Sequence, residues 1–338
     1  TVACSTPAHP AGGTTFKLWL ASQSAHSTFA DYTPDSAIFE YFEVGVLDAT
    51  PHRGPVAGQT MVTVVGNDFM NLVGSVSGVQ CLFGEARSEA QIISSSQIHC
   101  RSPPSGLPRM AKVALVSDGA QMSGAATFSY YEDALIQALY PAVAPASGGT
   151  VITISGSQYP VGSPTCRFTN SFWSFASSPV LARRTGGARD AITCVTPTLL
   201  TSLYTLQVSW NQQDFANSTS LLEIYEAAVV HHVSPSCGPV LGGTTLLLTG
   251  GEFPRRAADL DLLACRIGHS TVRASLLDAS SILCIAPPSE PGYHSIEVTS
   301  NMQDFTTSGN VFFYQPTFVA YTSPAAGPIS GGTRVKLF

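Results

Sequence analysis

The sequence predicts an all-β protein built from tandem repeats, and two observations carry this prediction. A segment rich in proline and glycine recurs with a period near 90 residues, and short alternating apolar runs fill the intervals between its copies. Runs of this length, separated by turn residues, are typical of β-sandwiches or barrels. No segment keeps a helical period over three turns, so long helices are not expected.

The recurring segment approximates the pattern Pro-x-x-Gly-Pro-x-x-Gly-Gly-Thr, and we call each copy a corner. The four corners close at Thr60, Thr150, Thr244 and Thr333, which are 90, 94 and 89 residues apart. Proline fixes φ, and the glycine pair permits positive φ or a close backbone approach just before a strand. The corners therefore predict one bend repeated in every unit, an architectural feature with no ligand chemistry of its own.

Domain boundaries follow from the corners. Three whole domains are expected, with the end of one domain before them and the beginning of another after them: residues 1–43, 44–131, 132–226, 227–315 and 316–338. Each whole domain is long enough to bury a small core. No signal peptide is visible, and a domain is interrupted at each end, so we expect the sequence to be a segment of a longer protein.

Alternating apolar residues place the strands of each repeat. The first two repeats contain candidates at 16–20 and 37–42, then at 44–47, 61–65, 79–83, 98–103, 111–116 and 127–131. The third and fourth repeat the plan at 151–154, 165–168, 192–197, 204–210 and 221–225, then at 263–267, 282–287, 295–298 and 311–314. An extended loop is expected over 170–190. Runs at 135–139, 228–233 and 318–321 are the next repeats' first strands, which leaves little linker and favours a rod.

Composition narrows the class of protein. The 29 glycines and 23 prolines follow no three-residue period, and the 44% hydrophobic content argues against disorder. Only 11% of residues are charged, so we expect a surface rich in uncharged polar residues or covered by sugar or neighbouring subunits. The net charge of −6 and the lack of a basic run argue against a nucleic-acid partner. No apolar run is long enough for direct membrane insertion of this segment.

Six of the eight cysteines recur as pairs at matching places, and the second member of each pair lies in Cys-x-x-Pro: Cys81 with Cys100, Cys166 with Cys194, and Cys265 with Cys284. One disulfide per repeat is predicted, each worth about 2–4 kcal/mol, which implies an oxidising, extracellular compartment. Buried free thiols are the alternative. A zinc site is disfavoured because no Cys-x-x-Cys and no histidine at ligand spacing occur. No metal or cofactor is expected.

Two cysteines have no counterpart within the sequence. Cys4 begins a Cys-x-x-Pro like those above, so its partner is expected outside the segment, before residue 1. Cys237 lies in a corner, where the other copies have Arg53, Val143 or Ala326. A leftover cysteine of this kind can form an intermolecular cross-link to a partner or remain a free thiol, and both interpretations stay open.

The succession of corner, apolar strand, Gly-x-x-Phe, cysteine, Cys-x-x-Pro and closing Phe-x-Tyr resembles the IPT/TIG family of immunoglobulin-like domains, and it spans nearly the whole chain. Asn211-Gln-Gln-Asp-Phe215 and Asn301-Met-Gln-Asp-Phe305 are similar to the family's Asn-Gly-x-Asp-Phe turn, with Gln212 and Met302 in place of glycine. The second repeat has Ser117-Asp-Gly-Ala120 there instead. The resemblance implies tandem β-sandwiches arranged as a rod, in a family that includes plexin-type receptors, fibrocystin-like surface proteins and Rel-type transcription factors.

No catalytic signature is present, neither Gly-x-Ser-x-Gly nor His-Glu-x-x-His nor a nucleotide-binding loop, so no enzyme is expected. Weaker candidates are each outweighed by an ordinary structural role: a metal pair at His231-His232, calcium at Asp259 and Asp261, an aromatic platform at Trp173, and the charges Arg183-Arg184 and Arg255-Arg256. Asn217-Ser-Thr219 is an N-glycosylation sequon on a predicted turn, so a glycan on Asn217 is expected.

Together these features favour a non-enzymatic extracellular structural protein whose tandem domains form a rod or a cell-surface or flagellar-surface filament. Its partners would be other copies of itself or other extracellular proteins. The alternative is the ectodomain of a cell-surface receptor or adhesion protein that binds a protein ligand. A third hypothesis, an accessory carbohydrate-binding module, would need an aromatic platform.

Overall fold

The computed structural model describes residues 9–16, 37–75, 78–172, 174–185, 191–316 and 320–337. Its regular structure is almost entirely β-strand, which confirms the predicted fold class. The chain forms two compact units, Thr1–Asp133 with Ser209–Phe215, and Ala134–Val208 with Ala216–Phe338. Within the described ranges the helices are a 3-10 turn at Phe69–Leu72 and α1 at Arg255–Asp259, and neither could cross a membrane.

The partial first repeat is described as one antiparallel pair. Strand β1 (Gly12–Phe16) pairs with β2 (Ala37–Tyr41), with Gly12 opposite Tyr41. The strand predicted at 16–20 overlaps β1 at Phe16, and the rest of that prediction falls on residues that the structure does not describe. Residues 17–36 lie outside the described part of the chain.

The second repeat is a pair of sheets that share one strand. Its strands are β3 (Gly45–Thr50), β4 (Arg53–Pro55), β5 (Met61–Asn67), β6 (Val79–Phe83), β7 (Ala86–Ser94), β8 (Gln97–Arg101), β9 (Arg109–Ser117), β10 (Ala120–Gln121), β11 (Ser123–Gly124) and β12 (Ala126–Tyr131). They follow the order β11-β3-β5-β8-β7-β6-β9-β12-β4, and β10 pairs with β9. The corner strand β4 runs parallel to the closing strand β12.

Strand β7 joins the two sheets, and the sequence did not predict it. Its first half pairs with β6, up to Glu89 opposite Gln80, and its second half pairs with β8, from Ala90 opposite Cys100. Because the strand passes from one sheet to the other, its residues alternate between half-buried and exposed and none is fully buried. A strand without a buried apolar face gives little hydrophobic signal.

The third repeat follows the same plan, but several short strands lie between residues 170 and 191. Its strands are β13 (Leu135–Tyr140), β14 (Val143–Pro145), β15 (Val151–Ser157), β16 (Thr165–Asn170), β17 (Phe175–Ala176), β18 (Val180–Leu181), β19 (Arg183–Thr185), β20 (Ala191–Val195), β21 (Ser202–Ser209) and β22 (Phe215–Tyr225). The loop predicted over 170–190 is therefore not a plain loop. Strands β17 and β18 extend the sheet at β16, and β19 pairs with β20.

The fourth repeat restores the pattern of the second. Its strands are β23 (Val229–Ser234), β24 (Cys237–Pro239), β25 (Thr245–Gly251), β26 (Ala264–Ile267), β27 (Ser270–Asp278), β28 (Ser281–Ile285), β29 (Gly292–Thr299) and β30 (Val311–Gln315). They follow the order β23-β25-β28-β27-β26-β29-β30-β24, so β27 joins the sheets as β7 does. The last described strands are β31 (Thr322–Ser323) and β32 (Lys336–Leu337), which pair with each other.

Disulfides connect the two sheets inside each whole repeat. The structure joins Cys81 on β6 to Cys100 on β8, with 6.3 Å between their Cα atoms. The pairs Cys166–Cys194 and Cys265–Cys284 occupy the matching strands at Cα distances of 6.4 and 6.3 Å. All six cysteines are 0–1% exposed. Each bridge therefore lies in the core, among the apolar residues that the alternating strands point inward.

Removing one bridge should destabilise its own repeat. We expect the paired substitution Cys81→Ala and Cys100→Ala to lower the unfolding free energy of the second repeat by about 2–4 kcal/mol. Hydrogen exchange of the amides in β5, β6 and β8 would measure this loss. The matched control is Cys237→Ser, an exposed free cysteine in the fourth repeat, which should leave those amides unchanged. Equal protection in both variants would contradict a structural bridge.

In the second and fourth repeats, a buried tyrosine of the closing strand bonds to the proline of the Cys-x-x-Pro segment. Tyr130 Oη donates to the carbonyl of Pro103 (2.9 Å), and Tyr314 Oη donates to that of Pro287 (2.7 Å). Burial raises the pKa of Tyr130 from 10.0 to about 12, although the Arg109 charge opposes this. The folded repeat therefore holds a proton that the unfolded chain gives up at lower pH.

This shift predicts an alkaline loss of stability. The contribution of Tyr130 is complete below pH 10 and is lost as the pH rises from 10 towards 12, with a slope of at most about 1.4 kcal/mol per pH unit for one proton. Tyr130→Phe should make the fall of the urea midpoint over this window shallower. Tyr140→Phe, at a tyrosine that is 56% exposed, is the control and should keep the wild-type slope.

Candidate functional site

The corners have one shared geometry. Each proline that begins a corner follows a cis peptide bond: Pro51, Pro141, Pro235 and Pro324. The residue two positions before the closing threonine is a glycine with φ near +75° in every whole repeat, for example Gly58 at 76° and Gly242 at 75°. A Cβ on Gly58 would lie 2.7 Å from the carbonyl carbon of Pro103. The glycine is therefore required both by its φ and by the neighbouring Cys-x-x-Pro backbone.

The closing threonines are held by the Cys-x-x-Pro segment. The backbone N–H of Thr60 donates to Ser102 Oγ (3.1 Å), and that of Thr150 donates to Thr196 Oγ1 (3.1 Å). Both threonines are fully buried. Their hydroxyl groups are thus fixed in position and must find a partner that lies outside the corner itself.

Residues 211–214 form a turn around one asparagine. Asn211 Oδ1 accepts the backbone N–H groups of Gln213 (3.1 Å) and Asp214 (2.9 Å), while its Nδ2 donates to Asp214 Oδ2 (2.6 Å). Gln212, between them, has φ +63°, in the left-handed region. We call this arrangement, and the matching residues 301–304, the asparagine turns.

The first asparagine turn packs on the second repeat's corner, within the first compact unit. Thr60 Oγ1 donates to Asp214 Oδ2 at 2.6 Å, and Asn211 Nδ2 donates to the carbonyl of Arg53 at 3.1 Å. The carboxylate of Asp214 therefore receives the buried hydroxyl that the corner presents. The two partners of this hydrogen bond are 154 residues apart in the chain.

The second asparagine turn makes the same contact inside the second compact unit. Thr150 Oγ1 donates to Asp304 Oδ2 at 2.5 Å, again across 154 residues, and Asn301 Nδ2 also donates to Asp304 Oδ2 at 2.6 Å. Gln303 adds two bonds, since its Oε1 accepts the N–H of Val151 (3.1 Å) and its Nε2 donates to the Val151 carbonyl (2.9 Å). Asn301 is fully buried by this contact.

An aromatic residue accompanies each contact. Tyr131 lies with its ring centroid 6.5 Å from that of Trp210, which precedes the first asparagine turn. Burial, then the negative charge of Asp214, raises the pKa of Tyr131. Tyr225 holds the equivalent place in the third repeat, where burial comes first among the causes that raise its pKa. Neutral tyrosines thus lie beside both aspartates.

The third and fourth repeats also share a small apolar core. Val143 and Tyr225 of the third repeat pack with Ala257 and Leu262 of the fourth, and all four are buried. Arg256 on α1 donates from Nη2 to the carbonyl of Leu221 at 2.9 Å. The sequence indicates only an ordinary structural role for the pair Arg255-Arg256. In the structure, Arg256 bonds the neighbouring repeat, while Arg255 is exposed.

The other sequence candidates lie apart from these contacts. Cys237 is an exposed free thiol in β24, and Cys4 and Trp173 fall outside the described residues. Asn217 is exposed but lies in strand β22, so the predicted turn was wrong; its Oδ1 accepts from Gln207 Nε2 at 2.6 Å.

The candidate metal ligands are exposed, and the two aspartates pair with arginines. His231 and His232 are exposed in β23. Asp259 lies 4.0 Å from Arg255 Nε, and Asp261 forms an ion pair with Arg273. In the part of the chain that the structure describes, no group of three His, Cys, Asp or Glu side chains could hold a metal ion.

Comparison with known proteins finds one domain family in all three whole repeats, and relatives that are similar to most of this chain. A family model described as IPT/TIG domain matches residues 46–130, 134–224 and 228–314. Plexin-2 of Caenorhabditis briggsae is 23% identical over 276 residues, covering 76% of this chain and 15% of that protein. Human Fibrocystin-L is 24% identical over 308 residues, covering 86% of this chain and 7% of that protein. The chain thus spans less than a sixth of either relative.

Among solved structures, the Plexin A4 full extracellular region covers 87% of this chain, and 28% of that chain is matched. The identity is 17% and the TM-score is 0.40.

The asparagine turn and the corner should be energetically coupled. We expect Thr150→Val and Asp304→Asn to show an interaction energy of about 1–2 kcal/mol in a double-mutant cycle, because each removes the same charged hydrogen bond. Hydrogen exchange of the Val151 amide, which bonds to Gln303, reports the opening of the contact. Thr244→Val combined with Asp304→Asn is the control and should be additive within about 0.5 kcal/mol.

Proposed function

The chain belongs to the IPT/TIG family, and from this premise we propose that it is a non-catalytic extracellular spacer whose tandem domains are held at set positions along a rod. The observation that carries the proposal is the repeated contact between an asparagine turn and a corner. IPT/TIG domains are typically non-catalytic, and the matched family is not an enzyme family. A protein of this kind acts by holding surfaces at defined distances.

The joint between the third and fourth repeats supports this role. Only residues 226–228 separate β22 from β23, so little chain remains to act as a flexible linker. The joint is closed by the Thr150–Asp304 bond, the two bonds from Gln303, and the apolar contact around Tyr225. Each interaction is modest, but together they oppose rotation of one domain against the other.

An extracellular location is supported by the disulfides. Each whole repeat has a buried bridge between its sheets, and such bridges persist in oxidising compartments. The exposed Asn217 sequon is compatible with the same location. The low charge content of 11% supports partners that cover part of the surface, either other copies of the chain in a filament or other extracellular proteins.

The spacer proposal predicts fixed domain orientation that depends on the turn. In the wild-type chain, residual dipolar couplings of the third and fourth repeats should fit one common alignment tensor. The double substitution Asn301→Ala and Asp304→Ala should split them into two tensors, because the joint loses its charged hydrogen bond. Asp278→Ala, an exposed carboxylate of the same repeat, is the control. Independent tensors in the wild-type chain would refute the spacer role.

The filament part of the proposal has a separate test. Negative-stain microscopy of the native material should show end-to-end or lateral arrays of rods. Well-dispersed single molecules would instead favour a receptor or adhesion ectodomain that presents its domains individually.

A further inference from the structure

The corner of the fourth repeat has the features of the two occupied ones, but no turn lies on it in the part of the chain that the structure describes. At the corners of the second and third repeats the closing threonine, Thr60 or Thr150, is fully buried beneath an asparagine turn. At the corner of the fourth repeat, Thr244 is only half-buried and Cys237 is exposed. The corner strand β24 still pairs in parallel with the closing strand β30, as β4 does with β12.

The atoms that would receive a turn are in place at the corner of the fourth repeat. Gly242 has φ +75°, and the N–H of Gly243 donates to the carbonyl of Ala286 (2.9 Å), as the N–H of Gly149 donates to that of Thr196 (2.8 Å). A Cβ on Gly238 would overlap the Thr244 hydroxyl, just as one on Gly54 would overlap that of Thr60. The hydroxyl donor is therefore positioned as in the second repeat.

We propose that this surface, β24 together with Thr244, docks the asparagine turn of an IPT/TIG domain that follows it in the chain. The turn's aspartate would accept the Thr244 hydroxyl, and its asparagine would donate to the carbonyl of Cys237, which corresponds to that of Arg53. This inference rests on the proposed function, because it extends the same joint to the next domain.

The occupant is argued from the turns themselves. Both asparagine turns among the described residues are engaged, Asp214 with Thr60 and Asp304 with Thr150, so a second copy would have to break one of them to dock here. The second repeat offers no third turn, since Ser117 and Ala120 close a two-residue Asp-Gly hairpin. The further domain that the sequence predicts to begin at residue 316 is the fitting source, because its corner would close at Thr333, 89 residues after Thr244.

One feature of the surface differs from the occupied corners. Tyr131 and Tyr225 pair with the last residues of their corner strands, whereas Gln315 pairs with Pro239. The docked turn would therefore lie beside an amide rather than a phenol. The hydrogen bonds to Thr244 and to the Cys237 carbonyl do not depend on that ring.

Cys237 provides a direct readout, because its counterpart Val143 is fully buried at the occupied corner of the third repeat. The test protein keeps residues 1–315 and replaces 316–338 with a second copy of 227–315, whose 89 residues preserve the natural corner spacing. Cys4 and the copied Cys237 are changed to serine, so that the original Cys237 is the thiol observed. Val143→Cys with Cys237→Ser, in the 338-residue chain, calibrates a thiol at an occupied corner.

We expect the appended domain to slow labelling of Cys237 by a disulfide reagent about tenfold or more relative to the 338-residue chain, towards the Val143→Cys rate. Changing Asn301 and Asp304 to alanine in the appended copy alone, or Thr244→Val, should restore fast labelling. Mass mapping of the copied Cys265–Cys284 bridge verifies that the appended domain is folded. Fast labelling despite that bridge, or slow labelling whatever the turn's sequence, would overturn the proposal.

A second measurement covers the case in which the appended domain does not fold. A cyclised peptide of residues 296–306 is titrated into the 338-residue chain, and amide shifts are followed by NMR. Shifts at Thr244 and Thr245 that are lost with the Asp304→Ala peptide support docking, and their absence with both peptides overturns it. The proposed spacer fails instead if the third and fourth repeats of the wild-type chain fit independent alignment tensors, a result that leaves the docking test at Thr244 unaffected.

Discussion

The hydrogen bond from a buried threonine hydroxyl to an aspartate carboxylate is the interaction on which the joints depend. Thr150 is fully buried, and the bond of its hydroxyl to Asp304 Oδ2 is 2.5 Å long. Asn301 holds Asp304 in place through two bonds: its Nδ2 donates to the same carboxylate oxygen, and its Oδ1 accepts the backbone N–H of Asp304. Because a buried polar group without a partner is costly, the corner and the turn stabilise each other only when both are folded.

The corner can present that hydroxyl because the domain behind it is rigid. The Cys-x-x-Pro segment binds the backbone of Thr60 through Ser102, and Tyr130 binds the carbonyl of Pro103. The disulfide at Cys100 ties the same strand to the opposite sheet. Strand β8 therefore connects the core and the disulfide to the corner. Loss of the disulfide would also destabilise the joint, because it would loosen β8.

Sequence periodicity predicted the corners and the cysteine pairs, because local backbone geometry and the core require the same residue types in each repeat. Glycine at Gly58 and Gly242 is needed for the backbone conformation itself, and the cysteines recur because each core has the same place for a bridge. Strands β7 and β27 were missed because their residues face neither sheet's core continuously. The sequence predicted a turn at Asn217, yet this residue lies in strand β22.

The sequence by itself determined the family, the repeat period and the positions of the corners, since these depend on backbone geometry and on alternation that any copy must keep. It did not show that Thr60 bonds to Asp214 or Thr150 to Asp304. Those partners are 154 residues apart, and no local pattern joins them. Only the tertiary structure decided that a corner is a receptor for the next repeat's turn, because the contact exists only once both repeats are folded.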